Sequence, residues 1–424
     1  MTITDPSLTQ APGSTQVSAH RPQATAAPRV HMYQLDMVRV VTFLCVILTH
    51  VIATTTASDS NVAGATTLFL HFPRNAFFAL TGFVLMFQYF HRTDFSAHQF
   101  WPRRLKPVLV PYIVWSFVYW LYALWSEGRT DILLHPSRHG GFPANLGEFV
   151  QRASWGMSGF QMYFLFVTMQ VYLLFPALIW LVRRTVGHHR WVLAASGALQ
   201  VLLLVAMMDW HQPAWLAAYS WHTYATFLPY QFFILAGALA AVHREDVESW
   251  LRGRGGMIAL AWLVLGAAEF VFYLRRIANG SPVSLASSPF QLTLFPFIAL
   301  TLAALYAASL WWSDRRVAGS WSARAFAYGA DRSFGVFLVH VLVLQLLVEY
   351  NALDIDKDGW LKQQLGGATI PVIYLLTLVL TLGIVEVLRR LPGSYLLTGR
   401  SRIPLSHNDT KIATEQTHGY RRRS

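Results

Sequence analysis

The chain holds one cysteine, Cys45, in 424 residues. A lone thiol excludes an internal disulfide and any multi-cysteine metal centre. Its neighbours Phe43, Leu44, Val46 and Ile47 mark it as a packing residue. Charge is scarce as well. Asp, Glu, Lys and Arg make up 13% of the chain against 54% hydrophobic residues, and the mean hydropathy is +0.38. That balance excludes an ordinary soluble enzyme and points to a polytopic membrane protein. Heptads, a Gly-rich phosphate loop, CxxC, HExxH and GxSxG are all missing, and no metal is expected. The net charge of +12 reads as cation retained on the cytoplasmic side. Nucleic-acid binding is excluded because no basic domain accompanies that charge.

What is present is a series of apolar segments, at roughly 35–55, 73–90, 108–125, 160–182, 191–207, 223–242, 257–274, 290–311, 334–348 and 369–388. The expected fold is all-α, with ten transmembrane helices. Residues 1–30 are rich in Ser, Thr, Pro, Ala and Gln and have no apolar core, which predicts a disordered tail rather than a cleavable signal. The expected division is this tail, a transmembrane domain over 31–392, and a basic tail over 393–424. Alternate connections carry about 23 of the 33 Lys and Arg residues, the opposite set only about seven. Both termini are therefore expected in the cytoplasm, and a helix count wrong by one would scramble the pattern. The longest external connection, 126–159, has the size of a lid or an interfacial helix. It and the tails are too short to hold a catalytic domain, so any chemistry belongs to the membrane part.

The first segment carries Asp36, Arg39 and His50, and ionisable groups inside a span mark a functional path more often than a packing face. Arg39 and His50 are eleven positions apart, which returns to within about 20° of one helix face and separates them by roughly 16 Å. Thr42 and Thr49 help to keep that stripe polar, and Asp36 is placed to pair with Arg39. A cation sits at the cytoplasmic end and an imidazole in the outer half. This suits a long anionic ligand held at one end and reacted at the other.

Other candidates follow along the chain. Pro73 is a helix start, which sets Arg74 and Asn75 at the outer face. Thr81 and Gly82 form a small-residue pair that allows close approach of a helix or ligand. Arg103, Arg104 and Lys106 precede the third span and suit phosphate oxygens. His340 lies mid-span, seven residues after Ser333. Glu269 and Glu386 are buried charges able to pair with a cation or hold a proton. His188, His189, His211 and His222 fall in connections and read as solvated. Trp155, Trp210, Trp215 and Trp221 suit membrane anchoring, or sugar stacking.

These residues give the sequence its likeness. It resembles the membrane-bound acyltransferase-3 family, bacterial enzymes that acylate extracytoplasmic glycans, lipids or small molecules. Leu35, Asp36, Arg39 and His50 look like that family's opening motif, and the run from Phe77 to Phe83 is similar to its FFxxSGF, with Thr81 for Ser. Tyr163, Phe164, Leu165, Tyr172, Phe175 and Pro176 resemble a further stretch, as do Pro229, Phe232, Phe233 and Gly237. Ser333, Gly335, Phe337, Leu338 and His340 look like its SYGIYLIH. The basic loop departs from RRxxR, because Arg103, Arg104, Leu105 and Lys106 run into Pro107. The resemblance implies a multi-pass protein of the bacterial inner membrane. It further implies a cytoplasmic acyl-CoA donor with its phosphates near Arg39, Arg103, Arg104 and Lys106, an acceptor hydroxyl arriving from outside, and His50 as general base. Arg74, Asn75 and Thr81 become candidate oxyanion or acceptor contacts, with Gly82 and His340 also on the substrate side. Two other readings compete: a transporter or flippase that exports a glycan or lipid without covalent chemistry, although no inverted repeat is visible, and a scaffold. A scaffold leaves the shared face of Arg39 and His50 without a reason.

Overall fold

The computed structural model describes residues 31–135, 141–208, 222–349 and 365–404. Both tails, and with them Arg138, His211, Trp210, Trp215, Trp221, Lys357 and Lys362, lie wholly or in part outside the described residues. The architecture below concerns the compact unit that begins at Tyr33.

Among the described residues every regular element is helical. Helix α1 covers Tyr33–Thr55. Helices α2 (Asn61–Phe69) and α3 (Phe72–Tyr89) together make one membrane-length rod. Then come α4 (Ala97–Ser126), α5 (Gly141–Ser154), α6 (Met162–Arg184) and α7 (His189–Met208). Helix α8 (Gln231–Val242) is short, and α9 (Arg244–Arg252) is amphipathic. The remainder are α10 (Gly255–Ala278), α11 (Leu294–Asp314), α12 (Trp321–Glu349), α13 (Thr369–Leu388) and the small α14 (Ser394–Thr398). Among the described residues nine spans are long and apolar enough to cross a bilayer, and an apolar helix over Leu228–Val242 supplies a tenth, shorter segment. The ten apolar segments read from the sequence thus all form helices, the sixth being the short one.

Helix α1 is the hub, packed against α2, α3, α11, α12 and α13. One apolar core gathers Phe43, Ile47 and Val51 of α1 with residues of α4, α6, α12 and α13. A second core lies among α2, α3, α8, α10 and α11. Without water to serve polar side chains, the threonines of α1 turn back on their own helix. Thr42 donates to the Val38 carbonyl at 2.5 Å, and Thr54 to the His50 carbonyl at 2.7 Å. The stripe stays polar in composition while costing the bilayer no unpaired hydroxyl. Helix ends follow the same rule. Pro73 opens α3 as expected, and Arg183 donates to the carbonyls of Tyr89, Phe90 and Arg92 at 2.6–3.0 Å, closing the other end of α3.

Among the described residues the buried Glu269 and the half-buried Glu386 are paired in the spans. Glu269 accepts from Arg276 at 2.9 Å, and Glu386 meets Arg332 at 3.2 Å and Arg390 at 2.8 Å. Both therefore hold cations, which settles the alternative left by the sequence. One expectation is corrected. His189 is not solvated but buried, because its Nε2 faces the Val182 carbonyl and its Nδ1 the ring of His243, each at 2.8 Å.

The tightest crossing joins α3 and α8. A Cβ on Gly82 would lie 2.1 Å from the Ile234 carbonyl oxygen, and one on Gly237 would lie 1.9 Å from that of Ala79. Backbone thus meets backbone, a contact only glycine permits. Gly82 is a packing residue of this crossing. Gly237→Leu is expected to separate α3 from α8 and lower the melting temperature in detergent by several degrees, about 1–3 kcal/mol or more of overpacking. A variant melting with the wild type in a thermal-shift assay would contradict this crossing.

Candidate active site

Helix α1 brings His50 against α12, and the two histidines meet. His50 Nδ1 lies 2.9 Å from His340 Nε2, with the rings 4° from parallel and their centroids 5.1 Å apart. His340 is buried, and its Nδ1 lies 2.9 Å from the Val336 carbonyl oxygen. These contacts assign the protons. A carbonyl only accepts, so His340 Nδ1 carries hydrogen and its neutral Nε2 is a lone pair. His50 Nδ1 must then donate to that lone pair, which leaves His50 Nε2 as the basic atom. Among the described residues that nitrogen has no hydrogen-bond partner, and His50 lines a cavity of about 100 Å³. Both nitrogens of His340 are engaged, so this ring offers no free polar atom to a substrate.

The cavity is also lined by Thr49, His71, Arg74, Gln161 and Tyr163. Phe160 stands edge-on to His50, with centroids 4.7 Å apart at 89°. The connection ahead of α6 carries Phe160 and Gln161 to this place. Its turn is possible because Gly156 adopts φ +70° and passes so near the Tyr163 backbone that a Cβ would lie 2.5 Å from Tyr163 Cα. Ahead of the turn sits α5, anchored by Tyr112 to the Ala153 carbonyl and by the packing of Phe149 on Trp120. The long external connection therefore forms a helix and a closing segment over the histidine pair. Gln161 was missed by sequence reasoning. The available signal was an amide between Phe160 and Met162 at the mouth of a span, and among the described residues neither of its carboxamide atoms has a hydrogen-bond partner.

The other candidates divide. Arg74 lines the cavity, and buried Asn75 lines a smaller one that adjoins Arg74. Thr81 donates to the Phe77 carbonyl at 2.8 Å, within its own helix. At the basic end, Arg39 lies 3.7 Å from Asp36, which is buried while Arg39 keeps 32% of its side chain exposed. Arg39 and Arg104 both act electrostatically on Tyr172, and Arg400, which pairs with Asp331 at 2.6 Å, acts on Arg39. The structure thus gathers Arg39 and Arg104 with Arg400, a residue no motif had flagged. Arg104 also bonds Gln88, whereas Arg103 and Lys106 are exposed. Helix α4 runs on through Pro107 and Pro111, so the basic residues belong to its first turns rather than to a loop.

A family model described as an acyltransferase domain matches residues 32–389. The chain belongs to the acyltransferase-3 family. Its matched region contains the histidine pair, Arg39, Arg104 and the cavity, and ends before Arg400. No curated protein and no solved structure matches the chain. Membership and the spans together make this a multi-pass membrane acyltransferase.

In this acyltransferase the closing helix is charge-locked. Glu148 of α5 meets Arg129 at 3.0 Å and Arg152 at 2.9 Å, and the hydrogen bonds from Arg129 hold its carboxyl below the ordinary carboxylate range. A depressed carboxylate contributes stability above its unfolded pKa of about 4.3, and that contribution fades as pH falls through the lower folded value. Hydrogen exchange over 141–154 is expected to quicken as pH drops below about 4 relative to the intrinsic rate. Glu148→Gln should exchange faster at neutral pH and flatten that dependence; an unchanged profile would refute the lock.

Proposed function

We propose that the protein transfers an acyl group from cytoplasmic acyl-CoA to a hydroxyl of an extracytoplasmic glycan, lipid or small molecule, across a bacterial inner membrane. The observation that carries this is the unengaged Nε2 of His50, fixed as a lone pair by the bond from its Nδ1 to His340. Family membership supplies the acyl chemistry. The distance of roughly 16 Å from Arg39 to His50 along α1 suits an extended pantetheine arm.

In the proposed reaction the donor phosphates lie among Arg39, Arg104 and Arg400, with Arg103 and Lys106 at the rim. Asp36 beside Arg39 orients that guanidinium. The thioester carbonyl then stands in the cavity next to His50. The acceptor hydroxyl gives its proton to His50 Nε2 as its oxygen bonds to the carbonyl carbon. His50 becomes an imidazolium, which still donates from Nδ1 to His340. The carbon–sulfur bond breaks, and the Nε2 proton passes to the departing CoA thiolate, so the ring returns to its starting form. Gln161, with a carboxamide not yet bonded, is available to donate to the carbonyl oxygen as it gains charge. His340 is a positioning residue here: it touches no reacting atom and sets the tautomer. A lone Cys45 relay is not used, since Cys45 lies about 140° around the helix from His50.

His50→Ala is expected to lower transfer of radiolabelled acyl groups in proteoliposomes by at least about 100-fold, with insertion and melting unchanged. A fully active variant would end this mechanism. His340→Phe should reduce kcat about tenfold or more at constant KM for acyl-CoA, and His340→Gln, whose carbonyl accepts the same N–H, should restore much of it. Equal loss in both variants, with no change in the kcat to KM split, would make His340 merely structural.

A further inference from the structure

Among the described residues Arg74 is a cation without a counter-ion. It lies in the interior near the end of the spans opposite the basic connections, where its remaining surface faces the cavity of His50 and the smaller one beside it. Among the described residues no carboxylate is within 4.0 Å of it. Its surroundings are the faces of Tyr230 and Phe290, at 5.1 and 4.9 Å, and the Tyr163 hydroxyl at 3.5 Å. Its Nε is buried and makes no hydrogen bond. Arg276, Arg332 and Arg390, also at the spans, each meet a glutamate, whereas Arg74 meets rings.

Aromatic faces and one long phenol contact attract a guanidinium but leave its charge and one of its donors unanswered. Burying such a cation is costly unless an anion completes it. A transition-state oxyanion is not sufficient, because it exists only during the reaction and leaves the resting substrate complex uncompensated. A carboxylate on the substrate pairs with the guanidinium fork from the moment of binding. Its source follows from direction. The donor enters from the side of Arg39, its thioester stops at His50, and the only part of it that continues toward Arg74 is the acyl chain. A cavity of about 100 Å³ shared by His50 and Arg74 has room for a short chain.

We propose that the transferred group is the half-acyl of a short dicarboxylic acid, of the succinyl or malonyl type, whose free carboxylate is held by Arg74. This rests on the acyl-transfer reading above. Arg74 is then the residue that selects acidic over neutral acyl groups, with the amide of Gln161 beside it in the same cavity. The transfer itself remains the balanced step already given, with the distal carboxylate unchanged throughout.

The test compares succinyl-CoA, acetyl-CoA and free CoA as ligands of the purified full-length protein in detergent, by competition binding and thermal shift, for wild type, Arg74→Gln and Arg74→Lys. Wild type is expected to bind succinyl-CoA about 10- to 100-fold more tightly than acetyl-CoA, the range of one charge-assisted pair. Arg74→Gln should abolish that preference by lowering the affinity for succinyl-CoA about 10- to 100-fold, and Arg74→Lys should retain part of it. Equal binding of the two donors by wild type overturns the proposal, as does an Arg74→Gln variant that weakens both equally. If the succinyl preference holds but neither acyl group reaches any acceptor in proteoliposomes, the acyl-transfer reading fails and the carboxylate site stands. If acetyl is transferred and the preference is missing, the reverse is true.

Discussion

The bond between His50 and His340 is the contact on which the site depends, and a backbone carbonyl ultimately governs it. A helical carbonyl is normally occupied by the amide four residues on. The Val336 oxygen lies within hydrogen-bond distance of a side chain four residues on as well, that of His340. Because this acceptor cannot invert its role, direction is imposed on a chain of three groups, from His50 through His340 to Val336. In a bilayer interior no water is at hand to reverse it. Two neutral rings thus acquire one defined tautomer each without a carboxylate, which at this depth would itself need a cation.

The surrounding architecture can be understood as what holds those two rings 2.9 Å apart. Helix α1 contacts five helices, so its face is fixed from several sides. Small residues decide how near the neighbours come. Gly82 and Gly237 let α3 approach α8 to backbone distance, and Gly329 of α12 faces Val40 and Phe43 of α1. The same packing leaves gaps where polar groups face inward, and one of them is the cavity at His50. Among the described residues Glu269 and Glu386 are paired with arginines, whereas Arg74 meets the faces of Tyr230 and Phe290 and no carboxylate. This asymmetry is what the proposed acidic acyl group would answer, since the same fold places Glu269 against Arg276 at 2.9 Å.

Much of this was legible in the residues. Ten apolar segments and the shared face of Arg39 and His50 follow from hydropathy and the helical period, which are local properties. Pro73 opening α3 is likewise a local signal. What the sequence did not disclose depends on contacts between distant segments. His340 has the same composition whether it meets a substrate or His50, and 290 residues separate the pair. His189 falls at the edge of a connection but packs against His243, so a positional rule assigned it to solvent. Gly82 sits in a stretch that reads equally as ligand approach or helix packing, and only the position of the Ile234 carbonyl decides. Arg400 lies beyond the last span and carries no motif at all.

The two ends of α1 also differ in kind, and that difference bears on how a membrane acyltransferase can work across a bilayer. Arg39 is partly exposed, paired with Asp36 and reinforced by mobile-length cations from α4 and the segment after α14. Such an end tolerates a bulky, hydrated polyanion in more than one pose. His50 is enclosed by Phe160, His340 and Phe337, and it lines a small cavity. Here a displacement of about 1 Å is expensive for the rate. In the proposed reaction the donor is therefore gripped loosely by charge at one end and tightly by shape at the other. Arg74 adds a second charged grip beyond the reacting carbon, so an acidic acyl chain would be fixed on both sides of its thioester, and a neutral one on only one.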